Sequence, residues 1–375
     1  MIFSCDRQEL LDALNLVSRA VPSRSVNSIL ECVLLTAQTG VGLILCASDK
    51  DLYIDSKPIQ AEVEQSGAIA LDAKLFIEII RKLGGTQVDI EVDERNNALC
   101  KSGRARLKIS GYNANDFPVI DENELIIPDK NAFTIKASIL KEMIRQTIFS
   151  VGVDINKMVL TGELFDIKND MLQIVALDMY RISYRAEKID EGTNQVKAVV
   201  PGKALNELSR ILSTDDEDTV TFFFNDRRGV FLTNEFRLVS SLLTGDFIRY
   251  DQIFNEDFAT MVVIERDHLL SSMERAALIA VENRSMDVKI DITDDFFTIT
   301  SKTERGNVED GIPCETEGSA LTIYFNPRYF IEPLRVITDE KVVLKFNTRL
   351  SPCTIKSCEE LSPYKYLIVP LKIRD

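Results

Sequence analysis

Apolar and polar residues follow the same order three times along this chain. A short strand pattern precedes an amphipathic helix pattern with apolar residues three and four positions apart. The equivalent residues Leu10, Leu140 and Leu269 stand close to 130 residues apart, which indicates tandem domains of one fold. The predicted strands and helices are 2–5 with 7–21, 133–136 with 137–151, and 261–264 with 266–281.

A second element also occurs three times, as strand, helix, turn and strand. Asp72, Pro201 and Asn326 stand where its helices start, and such residues suit a helix N-terminus. Additional strands are predicted at 43–47 and 172–176. The second elements cover 68–71, 73–83 and 87–92, then 196–200, 201–212 and 219–224, then 321–325, 326–337 and 341–346.

Each repeat therefore has two helices and about eight strands, which favours an α+β domain with helices on one face of a sheet. Acidic or polar segments at 121–131 and 254–260 are predicted linkers. We expect three domains, at 1–126, 127–255 and 256–375.

The second helix of each repeat carries two basic residues seven positions apart, which places them on one face. In the first repeat they lie opposite a predicted apolar stripe of Leu75, Phe76, Ile79, Ile80 and Leu83. Counted over 8–21, 73–83, 137–151, 201–212, 266–281 and 326–337, the six predicted helices carry a net charge of +4 and the remainder −19, within a total of −15. Basic helices could attract phosphate, although a solvated helix face explains each pair taken singly. The pairs are Lys74 and Arg81, Lys203 and Arg210, and Arg328 and Arg335, and the first helices add Arg19, Lys141, Arg145 and Arg275.

Composition and motifs argue against a secreted protein and against most enzymes. The seven cysteines are scattered and form no C-x-x-C pair, which favours a reducing cytosol. No secretory signal or membrane-length apolar stretch is found. The single histidine, His268, has no recognisable nucleophile motif, and no phosphate-binding loop or dinucleotide fingerprint occurs. We expect no catalysis, metal or cofactor.

Four short motifs, in order, resemble one family over nearly the whole chain. They are GRARL (103–107) leading to NDFP (115–118), LTG (160–162), ALDMYR (176–181) and YLIVPL (366–371). The chain resembles the bacterial DNA polymerase III beta subunit, the sliding clamp. The resemblance implies a ring-shaped, head-to-tail homodimer of six clamp domains, with helices lining the bore and sheets outside. Duplex DNA would pass through, and the ring would tether the replicative polymerase after loading by an ATP-driven partner.

The resemblance also implies an apolar groove that binds short peptides of the polymerase, the clamp loader and repair proteins. Leu177, Met179, Tyr180 and Ile248 stand where the family often has Thr, Gly, His and Pro, which implies an altered peptide preference. Without the resemblance, core packing would be the plainer interpretation of Leu160 and Val369. The groove residues implied are Leu160, Leu177, Met179, Tyr180, Arg181, Ile182, Ile248, Ile253, Asn326, Tyr329, Leu367, Val369, Pro370, Leu371 and Lys372.

For the DNA surface, Arg24 matches a family contact, and Asp154 stands where the family can carry Gln. For the ring joint, Leu107 and Ile109 resemble one apolar side and Leu278 and Ile279 the facing side, while Lys74 fits either the joint or the bore. Two other interpretations stay open: an enzyme with an unrecognised acidic site, and a ring that handles proteins and not DNA. The predicted DNA-facing residues are Arg24, Arg81, Lys141, Arg145, Lys203, Arg210, Arg328 and Arg335.

Overall fold

The computed structural model describes residues 1–121, 125–126, 132–189, 195–254, 257–280, 287–304 and 306–372. The chain packs as two compact units, and the division runs through the second repeat. Unit 1 comprises Met1–Ser138 and Glu207–Leu242, and unit 2 comprises Ile139–Asn206 and Leu243–Asp375. The predicted linkers at 121–131 and 254–260 lie partly outside the described residues.

All six predicted helices are present. Asp6 and Asp72 cap the first two, since their carboxylates accept hydrogen bonds from the backbone N–H groups of Gln8 (2.7 Å) and Leu75 (2.7 Å). Their bounds are α1 Arg7–Val17, α2 Ala73–Lys82, α3 Ala137–Arg145, α4 Gly202–Ile211, α5 Arg266–Ala280 and α6 Arg328–Val336.

Two helices end earlier than the pattern predicted. α1 ends at Val17, and the chain continues as the 3-10 turn Ser18–Ala20. α3 stops at Arg145, because the Thr147 hydroxyl donates to the backbone oxygens of Met143 and Ile144 and the chain leaves α geometry there. The predictions of continuous helices to residues 21 and 151 were therefore wrong.

Leu75 was wrongly placed in the apolar stripe of α2. Its side chain is 52% exposed, whereas Phe76, Ile79 and Ile80 are buried. At about 100° per residue, Leu75 falls well to one side of the direction shared by these three residues. The helix therefore buries a narrower stripe than the sequence suggested.

Unit 1 contains two antiparallel sheets. The smaller has the order β5-β1-β7-β8-β9, and the larger has the order β10-β15-β16-β17-β4-β3-β2-β6. The strands of unit 1 are β1 Ile2–Asp6, β2 Cys32–Gln38, β3 Gly42–Ser48, β4 Leu52–Ser56, β5 Ala61–Gln65, β6 Gly67–Asp72, β7 Gln87–Val92, β8 Asn97–Ser102, β9 Ala105–Ser110, β10 Ala132–Lys136, β15 Thr219–Phe224, β16 Arg228–Leu232 and β17 Phe236–Ser241.

Unit 2 is also built on two antiparallel sheets. Their orders are β14-β11-β12-β13-β26-β25-β24-β18-β22 and β21-β20-β19-β23. The strands of unit 2 are β11 Gly162–Lys168, β12 Met171–Leu177, β13 Arg181–Lys188, β14 Val196–Pro201, β18 Thr260–Glu265, β19 Val288–Ile292, β20 Phe296–Thr303, β21 Gly306–Pro313, β22 Glu315–Gly318, β23 Leu321–Phe325, β24 Lys341–Phe346, β25 Cys353–Ser357 and β26 Tyr364–Ile368.

The larger sheet of each unit joins strands from two repeats. In unit 1, β17 of the second repeat pairs with β4 of the first. In unit 2, β26 of the third repeat pairs with β13 of the second, with Ile182 opposite Leu367. Helices also pack on the smaller sheets, as α5 does against β20 and β21 of unit 2. None of the helices in the described ranges is long and apolar enough to span a bilayer.

Candidate functional site

A cavity of about 320 Å³ opens on the surface of unit 2, beside the turn that joins β12 and β13. Its wall combines aliphatic, aromatic and charged side chains, as ligand sites generally do. The lining residues are Phe149, Val151, Gly152, Val153, Asp154, Lys157, Leu160, Asp178, Met179, Tyr180, Arg181, Arg328 and Tyr329.

The β12–β13 turn is fixed by its first residue. The Asp178 carboxylate accepts hydrogen bonds from the backbone N–H groups of Tyr180 (2.7 Å) and Arg181 (3.0 Å). The Asp178 backbone N–H donates in turn to the Arg181 carbonyl at 3.1 Å. This arrangement, common for Asp in turns, leaves the side chains of Met179 and Tyr180 more than half exposed.

Arg181 forms the polar base of the cavity. Its guanidinium is buried, ion-paired with Asp178 (3.1 Å) and with Glu332, and it donates to the backbone oxygen of Phe149. The same group lies 5.5 Å from the ring centre of Phe149 and 4.9 Å from that of Tyr329. Paired charges and flanking rings together hold the guanidinium in one position.

Two tyrosines form the aromatic wall. The rings of Tyr180 and Tyr329 stack with centres 5.9 Å apart and planes inclined by 16°. Burial raises the pKa of Tyr329 above its ordinary value, and the nearby Asp178 carboxylate adds to this effect. Tyr329 therefore stays neutral at physiological pH, and the wall offers a flat face with hydroxyl groups.

Below the cavity lies an apolar cluster that shares Leu160 with it. Tyr250 anchors this cluster, because its hydroxyl lies 2.8 Å from Asp166 and 2.6 Å from Gln173. Ile253 and Phe254 pack against it from the side. The buried members of the cluster are Leu160, Leu164, Val175, Leu177, Ile182, Val199, Tyr250 and Leu367.

The segment after β26 continues along this surface. The backbone N–H of Val369 donates to the Tyr180 carbonyl (2.8 Å), and that of Leu371 donates to the Tyr324 carbonyl (2.8 Å). The Val369 side chain is exposed while Pro370 is buried. The C-terminal segment is thus tied to the same turn that carries the aromatic wall.

The structure brings most of the predicted groove residues together. Five of them line the cavity: Leu160, Met179, Tyr180, Arg181 and Tyr329. Leu177, Ile182 and Leu367 lie in the cluster beneath, where they are buried as ordinary core residues.

Five other predicted groove residues do not line the cavity. Ile248 and Lys372 are exposed at the surface, Pro370 is buried, and Leu371 is half-buried. Asn326 accepts a hydrogen bond from the Arg328 backbone N–H at 3.0 Å, so it shapes the start of α6.

Sequence reasoning missed several residues of the cavity, among them Phe149, Lys157 and Asp178. Phe149 contributes a backbone oxygen and a ring face, and Lys157 lies 2.8 Å from the Met179 sulfur. Asp178 could have been found from its place two residues before Tyr180, the usual spacing of an Asp turn. Arg328, predicted for the DNA surface, also lines this cavity.

The predicted DNA-facing residues lie on solvent-facing positions, with Lys141 half-buried and the others exposed. Five of their six arginines are paired with glutamates, a feature that the repeat pattern did not reveal. The ion pairs are Arg81 with Glu78, Arg145 with Glu142 (2.6 Å), Arg210 with Glu207 (2.8 Å), Arg328 with Glu332 (2.8 Å) and Arg335 with Glu274 (2.7 Å).

The predicted joint residues lie on one edge strand and on two helices. Leu107 is partly exposed and Ile109 is buried on β9, the end strand of its sheet in unit 1. In unit 2, Leu278 is 76% exposed on α5, and the Ile279 side chain lies beside Gly306 at the start of the end strand β21. Lys74 is exposed and donates to the Ser23 carbonyl at 3.4 Å.

Metal chemistry finds no support in the part of the chain that the structure describes. No group of three or more His, Cys, Asp and Glu side chains there could hold a metal ion. His268 is exposed on α5.

Three family models for the DNA polymerase III beta subunit match the chain in succession. The N-terminal domain model matches residues 1–121, the central domain model 134–248 and the C-terminal domain model 251–372. A beta sliding clamp of Synechococcus elongatus is 30% identical, and the match covers 99% of each chain.

Solved structures agree with this result. The DNA polymerase sliding clamp of Bacillus subtilis superposes with a TM-score of 0.94 at 28% identity over the whole of both chains. A sliding clamp of Pseudomonas aeruginosa solved with bound griselimycin gives 0.91 at 26% identity, also over both full chains.

The fold therefore defines a DNA clamp built from three tandem domains, an accessory replication factor that has no catalysis of its own. The chain belongs to the DNA polymerase III beta subunit family, the sliding clamps that tether the polymerase to DNA. The prediction of a clamp is confirmed, and the alternative of an enzyme with an acidic site is wrong.

Proposed function

We propose that two copies of this chain close head-to-tail into a ring of six domains around duplex DNA. The groove of unit 2, defined as the cavity beside Tyr180 and the apolar cluster beneath it, then binds short peptides of the polymerase, the clamp loader and repair proteins. The observation that carries this proposal is an exposed aromatic wall above a buried cation in a chain of the clamp family. The family matches also support domain boundaries near residues 126 and 255.

The groove suits a peptide with apolar anchors. Leu160, Met179 and the ring of Tyr329 offer apolar contact area, and Arg181 is too well paired to take a free carboxylate. Anchors of this kind supply most of the binding energy at peptide sites. Because Tyr180 stacks on Tyr329, the entrance is a flat aromatic face, which favours a planar or unbranched anchor.

The ring joint is supported by opposite charges on two open sheet edges. Strand β9 carries Arg106 and Lys108, while β21 carries Glu309 and Asp310. Pairing β9 of one protomer with β21 of its partner would satisfy both edges and would place Leu107 near the partner's Leu278. Charge complementarity of this kind sets the orientation of a contact, and a head-to-tail contact that closes gives a ring.

The bore would attract DNA weakly. The exposed basic pairs and Arg24 provide positive charge, but each paired arginine already has a glutamate beside it. Weak, screened contacts to phosphates suit a protein that must slide and that depends on encirclement for retention. We place the ring in the cytoplasm, in keeping with seven free cysteines.

Linearising loaded DNA tests encirclement directly. The protein is loaded on a circular plasmid with clamp loader and ATP, the plasmid is cut once, and bound protein is measured by gel filtration. We expect retention on the circle and loss from the linear form. Equal retention on both forms would refute the ring.

The joint is tested with Leu278→Asp, which changes a surface residue and leaves the core intact. Leu361→Asp, at another exposed leucine of unit 2, is the matched control. Sizing with light scattering should show a monomer for Leu278→Asp and a dimer for the control and the parent. A dimer in all three would place the joint elsewhere.

The groove is tested with Val369→Asp combined with Leu371→Asp. Two carboxylates at this surface should reduce binding of the polymerase and the clamp loader at least tenfold, because apolar anchors lose their contacts. The dimer and the melting temperature should stay as in the Leu361→Asp control. Loss of the dimer would show that both residues serve the fold. Unchanged partner binding would show that the groove lies elsewhere on the protein.

A further inference from the structure

A second cavity, of about 550 Å³, opens in unit 1 beneath the segment that follows β9. We propose that this cavity is a binding site for a small hydroxylated aromatic molecule. The inference is independent of the ring and of the partner groove. Its lining includes Thr36, Ile44 and Asp55 on the large sheet, Ile120 on the covering segment, and Leu232 and Arg237 at the far side.

The repeat shows which side chain belongs at this place. Residues 116–121 read DFPVID and residues 246–251 read DFIRYD, so Ile120 and Tyr250 are equivalent. In unit 1 this segment covers one end of strands β2, β3 and β4, and in unit 2 it covers the same end of β11, β12 and β13. The two units therefore solve the same packing problem with side chains of different size.

In unit 2 the place is filled by a hydroxylated ring. Tyr250 is buried, its ring centre lies 6.1 Å from that of Tyr184, and its hydroxyl reaches Asp166 and Gln173. Asp166 is fully buried as well. The ring of Tyr250 thus covers this end of the sheet, and its hydroxyl forms hydrogen bonds with the polar side chains there.

In unit 1 the equivalent place is open. Ile120 replaces the tyrosine, and Thr36 and Ile44 stand where Asp166 and Gln173 stand in unit 2. Thr36, Cys46 and Ile120 are half-buried, whereas Asp166, Val175 and Tyr250 are buried. A smaller covering side chain leaves volume, and this volume lies in the range of small-molecule sites.

The chemistry of the walls specifies the ligand. Leu34, Ile44, Leu125 and Leu232 supply apolar contact, which favours a ring over a flexible chain. At the polar side, the Arg237 guanidinium holds the Asp55 carboxylate at 2.7 Å, and Thr36 offers a hydroxyl. A molecule with one aromatic ring or two fused rings, and with one hydroxyl group, fits both features.

The test uses 2-naphthol as the probe. The chain has no tryptophan, so naphthol emission can be followed without interference from an indole. To remove the groove of unit 2 from the measurement, titrations are made in a Tyr180→Glu background. We expect saturable binding with one site per chain.

Filling the cavity from the protein should abolish this binding. Ile120→Tyr places the ring of unit 2 into unit 1 and should weaken naphthol binding at least tenfold, while Val26→Tyr, which adds the same ring at an exposed position of unit 1, should leave it unchanged. Leu232→Phe fills the cavity from the opposite wall and should act like Ile120→Tyr. Circular dichroism and sizing check that each variant folds.

Two results would overturn the proposal. Naphthol binding that is equal in the parent, Ile120→Tyr and Leu232→Phe would place the probe elsewhere, and no saturable binding to the parent would show that the cavity takes no hydroxylated aromatic. If Ile120→Tyr does not fold, the Leu232→Phe titration decides.

Discussion

The turn after β3 and the turn after β12 have the same hydrogen-bond pattern and different side chains. In the first, Asp49 accepts from the backbone N–H groups of Asp51 (3.0 Å) and Leu52 (2.7 Å), and its own N–H donates to the Leu52 carbonyl at 3.1 Å. Asp178 makes the equivalent three bonds with Tyr180 and Arg181, within 0.3 Å in each case. The backbone differs at the next residue, since Lys50 has a φ of 83° and Met179 does not have a positive φ. The hydrogen bonds that fix the turn are thus the same in the two units.

Of the two turns, the second lines the cavity of unit 2. Lys50, Asp51 and Leu52 occupy the places of Met179, Tyr180 and Arg181. A charged turn stays hydrated and offers a peptide little apolar area, whereas a methionine and a tyrosine beside a buried guanidinium suit the anchor site proposed above. The comparison teaches that three side chains on this turn distinguish the proposed groove from its counterpart in unit 1.

The core beneath the two turns also differs between the first and second repeats. Glu163 on β11 is fully buried, and its equivalent on β2 is Val33, also fully buried. Burial raises the pKa of Glu163 to about 8, an effect that the Thr147 hydroxyl partly offsets. The second repeat therefore stores an ionisable group where the first has a methyl-bearing side chain.

The largest expected effect comes from giving β11 the residue of the first repeat, Glu163→Val. Folded Glu163 keeps its proton up to pH about 8, while the unfolded chain loses it near its ordinary value of 4.5. Stability from this group is thus present below pH 4.5 and is lost as the pH rises to 8, by about 5 kcal/mol in total. Denaturant unfolding between pH 5 and 8 should show this loss in the parent and no such slope in the variant.

Two further variants sharpen this measurement. Glu163→Gln keeps the shape and should also remove the slope, whereas Glu64→Gln, at an exposed position of β5, should keep it. If Glu163→Val retains the parental pH dependence, the carboxyl is not the source of the loss.

A medium effect is expected when Arg181 is replaced by the leucine of the first repeat. Arg181→Leu leaves Asp178 without its cation and Glu332 with Arg328 alone, and it removes the base of the aromatic wall. We expect a loss of about 3 kcal/mol in the free energy of unfolding, together with loss of partner binding. Calorimetry measures the first and a polymerase pull-down the second.

Arg181→Lys provides the comparison for this prediction. A lysine keeps the charge but not the planar group between two rings, so stability should recover in part while partner binding stays weak. Full recovery of binding by lysine would show that only the charge matters.

The smallest expected effect concerns the hydroxyl of Tyr250. Tyr250→Phe keeps the ring and removes the contacts of the hydroxyl with Asp166 and Gln173, while Asp166 still pairs with Lys197 at 3.0 Å. We expect a loss of about 1 kcal/mol, measured by urea unfolding. Tyr112→Phe, at an exposed tyrosine of unit 1, is the control, and an equal loss in both would remove the special role of Tyr250.

Periodicity in the sequence predicted the order of strands and helices well, because each repeat buries one face of each element. The prediction failed where a single side chain determines where a helix ends or how wide its buried face is, as with Thr147 at the end of α3 and Leu75 at the edge of the apolar stripe. The groove was predicted only through family resemblance, since Met179 and Tyr180 follow no pattern that binding chemistry would require.

The remaining parts of the site could not be read from the sequence for physical reasons. Phe149 contributes a carbonyl oxygen, which every residue possesses, and the burial of Arg181 depends on Glu332, 151 residues away. The ion pairs of the DNA-facing arginines likewise depend on rotamers. Such features depend on the folded structure, although the residue types are compatible with them.

The pairing of β17 with β4 and of β26 with β13 has a consequence for how the molecule unfolds. A sequence repeat cut out alone would lose half of a shared sheet and expose an unpaired edge, so it is not a thermodynamic unit. The two compact units divide the second repeat between them. We therefore expect the units, and not the three repeats, to unfold cooperatively.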